Sequence, residues 1–381
     1  MAILVKKFGG SSVATPEKMH GIVDRVLHEK KPDDRIVIVV SAMGDSTDDL
    51  LDLAAKVTDS MPKRELDMLL STGEQVSIAL LAAAFCSKGQ PAVSFTGGQA
   101  GIHTSDIHSK ATILDVDAKR VIKALDEGKI AIVAGFQGIT DEGDITTLGR
   151  GGSDTTAVAV AAGIKADFCE IYTDVDGVYT SDPRIVPNAQ KMNEITFAEM
   201  LELARLGAGV MQPRAVEYGE HNSVAIHVRS TFKDDPGTII REEYTVQEKN
   251  FVIRGVAHDT NVAKIAVKGV PDQPGVAYKI FSALANANVD VDMIIQSVRD
   301  IDGSNDILFT VAKTDLVEAT SVVESLKDEM GGFNYDVEIN VAKVSIVGAG
   351  MLGSPGIAAG MFGALAKAGI NIAAISTSEI S

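Results

Sequence analysis

The chain has 381 residues, 45% of them hydrophobic, and a formal net charge of -17. That length exceeds one ordinary domain of roughly 100–200 residues and allows two or three, each with a sizeable core. The acidic balance speaks against nucleic acid or an anionic membrane surface as the main partner, since both need clustered Lys and Arg.

At the start, the stretch "AILVKKFGGSS" (2–12) carries an apolar run, Ile3-Leu4-Val5, that reads as a buried strand, with Gly9-Gly10 as a turn. Thr15-Pro16-Glu17 then opens a helix, with Thr15 as N-cap and Pro16 in the first turn. Strand, glycine turn and helix start aim free N–H groups at an anion beside Lys7. Neither G-x-x-x-x-G-K-[ST] nor G-x-G-x-x-G fits here, so on these residues alone a tight turn and a phosphate cradle stand level. Lys6 points to the opposite side of the strand and reads as solvated. No leader is evident, and no apolar run reads as a membrane helix.

Further strands are expected at 35–42, 91–95, 129–136, 167–173 and 224–229, with helices over 47–57, 73–89 and 153–166 between them. Such alternation implies an α/β fold with a mostly parallel sheet covered on both faces, its ligands at the carboxyl ends of the strands. Those ends carry Lys7 to Gly10, Ser41 to Gly44, Gly135 to Gly138 and Thr173 to Gly177. Cys86 and Cys169 lie in apolar segments and read as buried, inert thiols in a reduced intracellular protein. The seven histidines suggest no metal site. Segment 233–250 is polar and charge-rich, and places the domain boundary.

Beyond it lies an internal repeat. Residues 264–298 and 343–380 share strand, loop, Pro-Gly, helix and second strand, with Pro274-Gly275 matching Pro355-Gly356 and Phe281 matching Phe362. The repeat disarms a decoy: Gly348, Gly350 and Gly353 form a G-x-G-x-x-G, but Pro355 falls where the first turns of a dinucleotide-binding helix would run.

Four stretches carry the chemistry: "KFGGSS", "STGEQVS" (71–77) with Glu74 at a helix start, "TTLGRGGSDTTA" (146–157), and "YTDVDGVYTSDPR" (172–184). Together with Ser41 to Gly44, they make the chain resemble the aspartate kinases of the amino acid kinase superfamily, over its whole length. The tandem repeat resembles the paired ACT modules that bind regulatory amino acids. The resemblance implies an amino acid kinase αβα sandwich over 1–240, a first ACT module with its preceding strand over 250–341, and a second, reading as incomplete, over 342–381.

It also implies that ATP, with Mg²⁺, phosphorylates the side-chain carboxylate of L-aspartate, the first step toward lysine, threonine and methionine. Lys7 and Asp154 are then the catalytic pair. Glu74 takes the substrate ammonium and Arg150 its α-carboxylate, joined by Thr47, Gly151, Gly152 and Ser153. An arginine suits that second task because its planar fork grips both oxygens. Lys7, Phe8, Gly9, Gly10, Ser41, Thr173, Asp174, Tyr179 and Arg184 hold ATP. Lysine and/or threonine occupy an effector site at Asp272, Gly275, Val276, Ala277, Asp290, Asp292 and Gln296. Homo- or hetero-oligomers through the ACT modules and a cytoplasmic location follow from the same resemblance. Two other readings compete: a kinase acting on glutamate or acetylglutamate, and a catalytically silent amino-acid sensor.

Overall fold

A computed structural model describes residues 2–243, 252–297, 304–327, 329–330, 332–351, 354–378 and 380–381. The chain divides into two units, Met1–Lys249 and Asn250–Ser381. Part of the expected boundary segment, 244–250, lies outside the described residues.

The first unit runs β1 (Ile3–Phe8), α1 (Pro16–Glu29), β2 (Arg35–Val40), α2 (Ser46–Val57), α3 (Lys63–Ser87), β3 (Ala92–Phe95), β4 (Ile102–Thr104) and β5 (Ile113–Val116). It continues with α4 (Lys119–Asp126), β6 (Ile130–Ala134), β7 (Gln137–Ile139), β8 (Ile145–Thr147), α5 (Gly152–Gly163) and β9 (Phe168–Thr173). It ends with β10 (Glu194–Thr196), α6 (Phe197–Arg205), α7 (Pro213–His221), β11 (Ile226–Ser230) and β12 (Thr238–Arg241). Its main sheet has eight strands in the order β10-β12-β11-β9-β1-β2-β6-β3. The strands from β11 through β3 are all parallel. β2 and β6 are buried nearly throughout, because both faces are covered, and hence read as unbroken apolar runs.

One face packs Phe8, Ile38, Val40 and Ile132 against Ile22 of α1 and Leu81 of α3. The other receives α5, buried from Gly152 through Ala161. α1 begins as expected, with Thr15 accepting from the Lys18 N–H and Pro16 in the first turn. Its apolar positions Met19, Ile22, Val23 and Val26, at helical spacing, are the buried ones.

α3 corrects two expectations. It starts at Lys63, so Glu74 stands in mid-helix rather than at a helix start. By length and composition it could also cross a membrane, yet half of its apolar window is buried inside this unit, as for a core helix. The cysteines divide: Cys169 is buried, whereas Cys86, on the outer side of α3, is exposed. A small four-stranded sheet, β5-β4-β7-β8, completes the unit.

The second unit comprises β13 (Gly255–Asp259), β14 (Val262–Pro271), α8 (Val276–Asn286), β15 (Ile294–Gln296), β16 (Ser304–Ala312), α9 (Leu316–Leu326), β17 (Asn334–Glu338), β18 (Lys343–Val347) and α10 (Ile357–Lys367). A sheet β15-β16-β14-β17 packs α8 and α9 over a core containing Ile265, Leu284, Phe309 and Val323, while β13 pairs with β18. The repeat is visible in the backbone: Gly275 and Gly356 cap α8 and α10 in the left-handed region, at φ 98° and 95°. Gly350 lies in a short 3₁₀ turn, Ala349–Met351, and α10 starts only after Pro355, so no α-helix opens at Gly348 or Gly350; Gly353 lies outside the described residues. The second copy's closing strand is not formed among the described residues, whereas β15 of the first copy exists by pairing with β16.

Candidate active site

The carboxyl ends of β1, β2, β6 and β9 lie side by side, because these strands are parallel neighbours. Their loops are knit together: the Ser41 N–H donates to the Phe8 carbonyl (3.2 Å) and the Gly44 N–H to the Gly10 carbonyl (3.1 Å). A Cβ at Gly10 would stand 2.9 Å from the Ala42 carbonyl oxygen, so only glycine lets the two loops approach this closely. A Cβ on Gly9 would lie 3.4 Å from Lys7 Nζ, which places the amine over the glycine turn. Lys7 Nζ forms an ion pair with Asp154 Oδ1 at 2.6 Å, joining β1 to the first turn of α5. Ser153 is buried, and a Cβ on Gly135 at the end of β6 would come within 2.7 Å of its Oγ.

A second group assembles around α3. Glu74 is only 2% exposed. Its Oε1 accepts from the Ala42 N–H (3.1 Å), whereas its Oε2 has no hydrogen-bond partner among the described residues. Burial pushes its pKa up to about 7. Gly73 sits inside the helix because a Cβ there would meet Ala42 Cβ at 2.8 Å. Arg150 lies between Gly149 and Gly151, both at positive φ, where β8 runs into α5. Its side chain is exposed and has no hydrogen bond or ion pair among the described residues. Thr47 is half-buried in the first turn of α2.

After β9, Thr173 donates to Asp174 (2.9 Å), and Tyr179 donates to Asp176 (2.8 Å), which also pairs with Lys233 (2.8 Å). Arg184 is exposed and pairs with Asp182, and the charge of Asp174 also acts on it. In the second unit a cavity of about 90 Å³ gathers Asp272, Gly275, Val276, Ala277 and Gln296. Asp290 and Asp292 are exposed and do not line it; Asp292 pairs with Lys343.

The sequence pattern of the amino acid kinase family matches residues 2–230, and that of the ACT domain matches residues 265–326 and 344–381. An aspartokinase of Mycolicibacterium smegmatis is 51% identical, over 100% of this chain and 91% of its own. The chain belongs to the aspartokinase family. Its fold is shared with solved structures of E. coli aspartokinase III. One of these, in complex with aspartate and ADP, is 26% identical over 99% of this chain and 94% of its own, with a TM-score of 0.82. The other, in complex with lysine and aspartate, is 25% identical over the same shares, with a TM-score of 0.77. Against an aspartate kinase structure from Synechocystis the identity is 47% and the TM-score 0.59, with 100% of this chain and 65% of that one covered.

For an aspartokinase-family chain, three features of the site escaped the sequence reading. The Ala42 amide that anchors Glu74 is a backbone group and leaves no side-chain signature. Asn305 donates to Asp272 (2.9 Å) and lines the same cavity of the second unit, but comes from β16, outside the repeated unit's Pro-Gly loop. Lys6 is the third, and here the expectation of a solvated lysine is overturned. It is 2% exposed and meets Glu29 Oε2 (2.8 Å), Glu170 Oε2 (2.5 Å) and Tyr172 OH (3.1 Å). Burial opposes its charge, but Glu170, Tyr172 and Glu29 outweigh it and hold the amine's pKa above the ordinary lysine value. The cause is general: in a sheet covered on both faces, the far side of a strand is another interior.

Proposed function

We propose that this chain transfers the γ-phosphoryl group of ATP to the side-chain carboxylate of L-aspartate, giving 4-phospho-L-aspartate and ADP. The observation that carries this reading is Glu74, a buried carboxylate with one oxygen fixed by the Ala42 amide and the other without a partner among the described residues. Such an oxygen is costly unless a cation reaches it, and an α-ammonium is a cation of the right size. Arg150, whose fork has no partner among the described residues, takes the α-carboxylate. The side-chain carboxylate then attacks the γ-phosphorus as the bond to the ADP oxygen breaks. The nucleophile already carries its charge, so no base has to remove a proton.

Lys7 over the Gly9-Gly10 turn stabilises the charge of the transferring group, and Asp154 holds the amine there. Ser41, Thr47 and Ser153 supply further donors, and Thr173, Asp174 and Tyr179 form the nucleotide end. Among the described residues, no group of three or more His, Cys, Asp or Glu is placed to hold a metal. Mg²⁺ fits this site as an ion carried on the phosphates, which it ordinarily binds with only one or two protein carboxylates. Its part is to neutralise phosphate charge. The bound aspartate and ADP of the E. coli relative agree with the assignment. A coupled ADP-release assay with aspartate, glutamate and acetylglutamate tests it: turnover with aspartate alone is expected, and preference for either other acid overturns the substrate.

The second unit senses lysine and/or threonine. The lysine bound to E. coli aspartokinase III supports that chemistry, as does the cavity beside the first turn of α8, where Asp272 and Gln296 offer polar groups. Asn305 Oδ1, buried without a partner among the described residues, is a further acceptor for an effector ammonium. The edge strands β15 and β17 leave ladder groups for a second copy or a related subunit, and two unpaired cysteines suit a cytoplasmic enzyme. Aspartate-dependent ADP formation measured with each amino acid, separately and together, tests the sensing role; no change with either overturns it.

A further inference from the structure

Asp67 is completely buried, yet no lysine or arginine meets it among the described residues. Its Oδ1 accepts from Thr147 Oγ1 (2.6 Å), and its Oδ2 from the Ser109 N–H (2.9 Å) and His108 Nδ1 (2.9 Å). Ser109 stands at φ 68°, a left-handed conformation that a non-glycine residue holds only when its surroundings fix it. The turn at 108–109 is therefore built around this carboxylate.

Asp67, Ser71 and Glu74 recur at the i, i+4, i+7 spacing of α3 and share one helix face. Through that face α3 holds three parts of the small sheet region: Thr147 of β8, the 108–109 turn, and β7, whose Gln137 donates to the Ser71 carbonyl (2.9 Å). The chain beyond Thr147 is fixed further. Leu148 and Ala111 carbonyls accept from Arg214 (2.8 and 2.9 Å), and the Ala111 N–H donates to the Thr147 carbonyl (2.9 Å). Arg150 follows three residues after Thr147. One helix thus carries Glu74 directly and governs the strand that delivers Arg150.

We infer that Asp67 is a positioning residue that sets where Arg150 stands relative to Glu74, and so sets both the affinity for the amino acid and the length of side chain accepted. This rests on the roles proposed above for Glu74 and Arg150. The test uses Asp67→Asn, Thr147→Val and Thr147→Ser in the full chain. Asp67→Asn and Thr147→Val are expected to raise the aspartate KM roughly tenfold, the scale of one hydrogen bond to a charged group. The preference for aspartate over glutamate narrows, while kcat and the ATP KM stay within about twofold; Thr147→Ser, which keeps the hydroxyl, restores the aspartate KM. In an Arg150→Ala background the effect of Asp67→Asn on aspartate KM vanishes, because both act through one guanidinium. Folded variants with unchanged aspartate KM, or with both KM values rising together, overturn the inference while leaving Arg150 its role. An Arg150→Ala chain with normal aspartate KM overturns both.

Discussion

Lys6 and Lys7 are consecutive residues of one strand and lead opposite lives. Lys7 has a single carboxylate partner, Asp154, and stands over a glycine turn at the mouth of the site. Lys6 has two, Glu29 and Glu170, and is enclosed beneath α1 in a network. That network continues through Arg229 to Tyr172 OH (2.9 Å) and Glu170 (3.4 Å), and through Arg25 to Glu29 (3.1 Å). Phe8 stacks on the Tyr172 ring at 4.6 Å, so aromatic packing closes the network on the side of the turn. A lysine surrounded by fixed partners has no freedom to meet a substrate; one with a single partner at a glycine turn retains some. The chemistry proposed above is assigned to the less satisfied of the two.

The comparison breaks most decisively if the roles are exchanged by mutation. Lys6→Ala is expected to lower stability by about 3 kcal/mol, because Glu170 and Glu29 lose their nearest cation and keep the longer contacts to Arg229 and the Arg25 pair on Glu29. Turnover per folded molecule changes little. Denaturant unfolding beside active-site-titrated kcat measures both; a stable but inactive Lys6→Ala protein would move the chemistry to the wrong face of β1. Lys7→Ala is the mirror image. It lowers kcat by roughly 10²–10³-fold, the scale for one preorganised charge contact at a transition state. Removing the amine also costs some stability, because it leaves Asp154, only 9% exposed, without its cation, so kcat is measured per folded molecule. Near-normal kcat in that variant would refute the assignment.

The same pair shows what a sequence makes legible. Alternation along the strand separates the faces of Lys6 and Lys7, but it cannot say that the second face is roofed by α1, because that depends on a helix, Pro16–Glu29, outside the strand itself. The central strands were readable, since burial on both faces leaves unbroken apolar runs such as "RIVIVV". β4, β7 and β8, at three residues each, are too short to show a period. The first half of α3 was missed because Gly73 interrupts it, and that glycine is explained only by the distant loop at Ala42. At the site, the glycine-rich strand ends and the charged residues were legible as types in a pattern. Which of them the fold leaves without partners among the described residues, Glu74 Oε2 and Arg150, required the structure.

Arg150→Lys sharpens the comparison on the substrate side, because it keeps the charge and removes only the fork. The aspartate KM is expected to rise roughly 10–100-fold, the scale of one lost charge-assisted hydrogen bond, with ATP binding nearly unchanged. Isothermal titration of ATP beside aspartate kinetics checks this, and loss of ATP binding with normal aspartate KM would reverse the assignment.

The smallest effect concerns Glu74 and runs against the usual direction for removing a functional residue. Its folded-state pKa, about 7, lies above the ordinary value of 4.5, and desolvation is the main cause. Between those two values the folded state holds a proton that the unfolded state has released, so stability from this group is greatest on the acid side and is lost as pH rises through about 7. At pH 8, with no amino acid bound, the charged carboxylate is a destabilising element. Glu74→Gln removes that charge and is expected to raise stability by about 1–2 kcal/mol there, while leaving stability near pH 5 little altered. The amide still offers the Ala42 N–H an oxygen. Aspartate affinity falls in the same variant, because its ammonium loses its counter-charge, and the wild-type aspartate KM climbs as pH drops below about 7 for the same reason. Denaturant melts at pH 5 and pH 8, with and without aspartate, measure both halves. A Glu74→Gln protein less stable than wild type at pH 8 without aspartate would show that the carboxylate is already satisfied in the empty protein, and that no cation is awaited at its second oxygen.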